Sequence, residues 1–107
     1  MRHCSFDSTA FDGPQAWQSL CDRTGLKLTG RGKYNCFAWT ATGIEVVTYC
    51  NPLTGEYHKP EHRDPEPGFA SYIGASGDDA KVGEFYNLVC EVADYIKGRD
   101  PERRSYC

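Results

Sequence analysis

The sequence predicts an α+β fold: a two-layer domain with an antiparallel three- to four-stranded sheet, flanked by an N-terminal helix and a longer C-terminal helix. Three observations predict it. Val82, Phe85, Val89, Val92 and Ile96 recur at three- and four-residue steps, giving one apolar helical stripe. Ile44-Glu45-Val46-Val47-Thr48-Tyr49-Cys50 is dense in β-branched and aromatic residues, which suit a pleated surface. Helical character sits at the two ends and strand character between them, so the two are segregated rather than alternating.

The elements follow in order. Residues 1–11 read as an arm, 12–98 as the folded core and 99–107 as a polar C-terminal tail. Asp12-Gly13-Pro14 opens a helix over 14–24, because proline fits a first turn whose N–H has no partner anyway. Trp17, Leu20 and Cys21 share one face of it. Gly25 supplies a left-handed stop, and Arg23 complements the negative end. Leu26 to Thr29 alternates as a short strand, Gly30 to Lys33 is a loop, and Tyr34 to Thr40 is an aromatic strand. Ala41-Thr42-Gly43 turns the chain into the strand 44–50. Asn51-Pro52-Leu53-Thr54-Gly55 is a hairpin loop with glycine late in it, and Glu56 to Lys59 returns as a further strand.

Residues 60–68 hold three prolines and several charges, which leaves a stiff loop. Phe69 to Ile73 is the last strand. Ser76 is placed to cap the long helix, with Asp78 and Asp79 in its first turn, Lys97 at its end and Gly98 as its stop. Burying its five apolar side chains is worth on the order of 10 kcal/mol before entropy, so it must pack on the sheet. The register of the hairpin between residues 34–40 and 44–50 stays open. A two-residue turn pairs odd positions with even ones, a three-residue turn odd with odd, and a slip by one turns every side chain to the other face. Cys36 and Cys50 share a face in one version and oppose each other in the other.

A chain of 107 residues with no apolar run of about 18 makes one domain without a membrane span. Its net charge of −3 disfavours non-specific nucleic-acid binding. Cys4, Cys21, Cys36, Cys50, Cys90 and Cys107 lie singly, with no C-x-x-C pair, and Met1 to Asp7 is too polar for a secretory leader. The expectation is separate, reduced thiols in a cytosolic protein, with a three-bridge disulfide framework as the alternative.

Four constellations bear on chemistry. Cys36, Cys50, His58 and His62 form a zinc-type ligand set, although thirteen residues separate the two cysteines, unlike the close pairs of zinc modules. A cysteine nucleophile needs a held histidine partner, and His3 beside Cys4 lies on the arm, while Cys21 and Cys90 read as core thiols. Gly30-Arg31-Gly32-Lys33 lacks the following helix that would bind a phosphate. Helix, three antiparallel strands, helix is an order of elements, over residues 14–97, that resembles the double-stranded-RNA-binding domain. That family opens its second helix with lysines that meet phosphates. At the matching positions Gly77, Asp78, Asp79, Ala80 and Lys81, only Lys81 fits. Arg23, Lys27, Arg31 and Lys33 make a local basic stretch, extended by Lys59 and Arg63.

Tyr34, Phe37, Trp39, Tyr49, Tyr57, Phe69 and Tyr72 fall on or beside strands, more aromatics than one helix-covered face can use. The expected function is a small cytosolic, non-catalytic protein-binding module without a cofactor, docking a protein partner as an inhibitor or adaptor. Small acidic single domains of phage-encoded accessory proteins provide the compositional analogy. The expected binding residues are Tyr34, Trp39, Tyr49, Tyr57, His58, His62 and Arg63. Asp78, Asp79, Glu84, Glu91 and Asp94 offer a second, acidic surface. The alternatives are a nucleic-acid-binding domain or a small zinc-stabilised module.

Overall fold

A computed structural model describes residues 1–11, 13–31, 36–56, 69–93 and 104–106. The α+β class holds, with an antiparallel sheet and two helices among these residues. In chain order the elements are β1 (Arg2–Ala10), α1 (Pro14–Thr24), β2 (Lys27–Arg31), β3 (Phe37–Ala41), β4 (Ile44–Thr48), β5 (Phe69–Gly77), α2 (Asp79–Ala93) and β6 (Arg104–Tyr106). The sheet has six strands in the order β2-β3-β4-β5-β1-β6. No helix among the described residues is long and apolar enough to cross a membrane.

The expected arm is instead the strand β1. It pairs with β5 from Arg2↔Gly77 to Ala10↔Phe69. Its alternation is genuine from His3 on, since Cys4 and Phe6 are fully buried while His3 is exposed and Ser5 half-buried. The polar residues between them mask that signal. The expected C-terminal tail likewise contributes β6, which lies along the other edge of β1 at Ser5↔Tyr106, Phe6↔Ser105 and Asp7↔Arg104. These two strands take the sheet from the expected three or four to six.

The β3–β4 hairpin closes at Ala41↔Ile44 around Thr42-Gly43, with Gly43 at φ 84°. This is the two-residue turn, and it pairs odd positions with even ones. Phe37, Trp39, Ile44, Val46 and Thr48 therefore share a face, continued across β5 by Ile73 and Ala75 and across β1 by Cys4 and Phe6. All nine are buried.

Other boundaries shift for local reasons. β2 runs on into the expected loop through a bulge between Leu28 and Gly30, where the Thr29 hydroxyl donates to the Ala38 carbonyl at 3.2 Å. β5 extends to Gly77, so Ser76 is a strand residue and not a cap. The Asp78 carbonyl instead accepts the first helical bond, from Val82 N–H at 2.9 Å, while Asp78 N–H donates to the Gly43 carbonyl at 2.8 Å. Asp79 does occupy the first turn of α2. Gly25 is the left-handed cap of α1, and Gly55 takes φ 77° late in the Asn51 loop. Of the expected strand 56–59, residues 57–59 lie outside the described set, as do the loop 60–68, Ile96, Lys97 and Gly98.

Both helices cover the same face. Trp17 of α1 is fully buried and meets Phe11, Trp39 and Phe85 edge-on, with ring centroids 5.4, 5.1 and 6.5 Å away. From α2, Val82, Phe85 and Val89 are fully buried and Val92 packs against the cluster. Trp17 thus joins both helices to the sheet. Trp17→Ala is expected to lower the unfolding free energy by about 3–5 kcal/mol, read from urea denaturation.

Candidate functional site

Alternation sends Thr40, Glu45, Val47, Tyr49, Tyr72, Gly74 and Ser5 to the sheet face away from the helices. Among the described residues no helix lies on that face. Tyr49 and Tyr72 stand opposite each other there. Tyr49 N–H donates to the Tyr72 carbonyl at 3.4 Å, and the two rings lie 5.1 Å apart at 33°. Both are half-buried. Gly74, two residues on and on the same face, explains the pose of Tyr72: a methyl group at Gly74 would come within 2.6 Å of the Tyr72 hydroxyl. The phenol therefore lies across a spot left bare by glycine. Half-buried Val47 lies nearby on β4, and exposed Glu45 adds charge toward the edge of the patch. An aromatic centre with a polar margin is the anatomy of a protein-docking surface.

The expected binding residues divide. Tyr49 lies on this face. Trp39 does not: it is 2% exposed and faces the helices, because the two-residue turn sets it opposite Val46. Its indole N–H donates to the Thr48 hydroxyl at 3.0 Å, and that hydroxyl donates to the Cys50 carbonyl at 2.6 Å. This buried chain satisfies polar groups in the core, where Trp39 packs. Tyr34, Tyr57, His58, His62 and Arg63 lie outside the described residues. Tyr72 was in the aromatic cluster but not among the expected binding residues. The signal that marks it is Tyr72-Ile73-Gly74, an aromatic and a glycine on one face of one strand.

The chemical alternatives find little support in the described part. Cys36 and Cys50 both lie just beyond the last β3–β4 pair, Phe37↔Thr48, and both are buried. Among the described residues, no three of His, Cys, Asp and Glu gather to hold a metal. Burial, then the charge of Asp22, pushes the Cys21 thiol up to about 12, and burial also raises Cys36. Such thiols stay protonated and are poor nucleophiles. His3 projects from a paired strand, not an arm. Cys4 is disulfide-bonded, whereas Cys21, Cys36, Cys50 and Cys90 carry thiols and form no disulfide. The expectation of reduced thiols therefore holds for those four and fails for Cys4. Single spacing along the chain hid the approach of distant strands.

On the helix side, Arg23, Thr24, Ile44, Lys81 and Glu84 line a hollow of about 40 Å³, which has room for a few waters only. Asp78, Asp79, Glu84 and Glu91 are exposed as expected, and Asp94 lies outside the described residues. Arg23 approaches Glu91 at 3.9 Å, an exposed pair that adds little stability.

No known protein family matches this chain, and no curated protein matches it either.

The buried thiols carry a pH signature. Cys21 stays protonated in the folded state well above its ordinary 9.0, so the unfolded chain loses its proton first. Its contribution to stability is complete below pH 9.0 and is lost as the pH rises toward about 12. Urea unfolding across that range should show a declining midpoint, and Cys21→Ala should flatten the decline.

Proposed function

We propose that this chain is a non-catalytic protein-binding domain, an inhibitor or adaptor that docks its partner on the sheet face centred on Tyr49 and Tyr72. The supporting observation is the seating of Tyr72 across Gly74 beside Tyr49. Tyr72 stands on β5 and Tyr49 directly follows β4, its N–H donating to the Tyr72 carbonyl, so the rings lose little freedom on binding. Tyrosine carries large contact area and a polar tip, which is why it recurs among the residues that dominate interface energies. The charged, proline-rich stretch 58–66, with His58, His62 and Arg63, remains the sequence-based candidate for a second contact. The setting we propose is oxidising enough to keep Cys4 bonded, in place of the cytosol suggested by isolated cysteines.

A second reading draws on the same rings. Aromatics on an open sheet face can stack unpaired bases, so a single-stranded nucleic acid is the competing ligand. Glu45 on that face and the net charge of −3 weigh against it. The duplex-RNA layout fares worse, because exposed Asp78 and Asp79 stand where phosphate-binding lysines would be needed.

The deciding experiment immobilises the chain, identifies a retained protein and measures its affinity. Tyr49→Ala and Tyr72→Ala should each weaken binding by roughly tenfold or more, as expected of residues at the centre of an interface. Gly74→Ala should do the same by displacing Tyr72. Gln18→Ala, exposed on α1, should leave affinity unchanged. Full affinity in all three sheet variants overturns the proposal. Salt-sensitive retention of single-stranded RNA, lost in the tyrosine variants, would establish the second reading instead.

A further inference from the structure

β2 ends the sheet on one side, and among the described residues β3 is its one neighbour. A strand with one neighbour turns alternate N–H and C=O groups outward, where a further strand can pair. Solvent reaches this edge, since Lys27, Leu28, Thr29 and Gly30 are all exposed. A methyl group added at Gly30 would meet nothing within 4 Å. Leu28 is 45% exposed, although its ladder partner Trp39 is 2% exposed on the same side of the sheet. The helix layer therefore stops short of β2 and leaves an aliphatic side chain at its margin. We propose that β2 is a docking edge distinct from the tyrosine face, which takes up an acidic, extended segment of a protein partner by strand addition.

The charges select that occupant. Lys27 opens β2 and Arg31 closes it. Among the described residues Lys27 forms no ion pair. A second copy of this chain is the rival occupant. Antiparallel self-pairing over the whole strand centres on Thr29 and sets Lys27 against Arg31, and like charges directly opposite disfavour it. Parallel self-pairing in register sets each cation against itself. A segment carrying glutamate or aspartate meets the same cations favourably, and an apolar residue within it can cover Leu28. The bulge between Leu28 and Gly30 bends the strand, so a short segment fits where a long flat one would not. Lysine and a bulge are also the devices that keep an edge from pairing with any strand it meets, which makes this edge selective.

The test titrates the full nitrogen-15-labelled chain with a synthetic pentapeptide, acetyl-Glu-Val-Glu-Val-Glu-amide, up to millimolar concentration. The amide signals of Lys27–Arg31 should shift and their hydrogen exchange should slow about twofold or more, while the β1–β5 ladder changes little. The same peptide with lysine in place of glutamate should bind about tenfold more weakly. So should the acidic peptide N-methylated at alternate residues, because it has lost the N–H groups that would pair. Lys27→Glu should weaken binding about tenfold and Leu28→Ser about threefold, both changes lying at exposed positions. Tyr49→Ala should leave peptide binding unchanged, so this edge and the tyrosine face stand or fall separately. No shift along β2, equal binding of the lysine peptide, or indifference to N-methylation overturns the proposal. Concentration-dependent sedimentation of the chain alone, lost in Leu28→Ser, would assign the edge to a second copy and overturn the acidic occupant.

Discussion

The ladder between β1 and β5 constrains everything else in this domain. It seats the first strand next to the fifth, four places from β2 at the far edge of the sheet. The chain must therefore cross the sheet between β1 and β2, and α1 is that crossing. Since every neighbouring pair is antiparallel, β1 and β2 run the same way. β5 and β6 also run the same way, with α2 between them in the chain. The second connection reverses both strand direction and lateral direction relative to the first. Two such crossovers of one hand put their helices on one face of the sheet. That is why Trp17 and Phe85 can meet, and why the opposite face keeps its aromatics clear of both helices.

Which aromatics those are depends on a single turn. Thr42-Gly43 closes the β3–β4 hairpin in two residues, and Gly43 accepts the positive φ that such a turn demands. Its carbonyl is held in turn by Asp78 N–H at the start of α2, which ties the turn to the helix layer. Adding one residue to the turn would reverse one strand relative to the other. With the observed register, Trp39 enters the core and finds its acceptor in Thr48, while Tyr49 emerges on the other side.

Much of the helix layer and its limits was legible in the sequence, because those signals are local. Pro14, Gly25, the stripe from Val82 to Val89, the β-branched run at 44–48 and the glycine at 55 each act within a few residues. β1 and β6 were not legible, because their evidence is non-local. Among its described side chains, Arg2 to Ala10 buries two of clear core type beside polar ones, and only a long strand alongside makes it a strand. Ser76 resembled a cap because nothing nearby shows that β5 continues past it. Trp39 and Tyr49 were equivalent candidates until the register separated them. The bonded Cys4 was hidden for the same reason as β1, since the two ends of the chain meet only in the folded sheet.

β1 serves both faces of the sheet. Its Cys4 and Phe6 point into the helix side, while Ser5 between them lies on the open face opposite Gly74. The tyrosine patch is thus built on β4 and β5 and buttressed by β1, and none of its described members lies on β6. The long β1–β5 ladder holds Gly74 beneath Tyr72. The hold of β1 on β5 is the firmer one, with eight paired positions against three to β6.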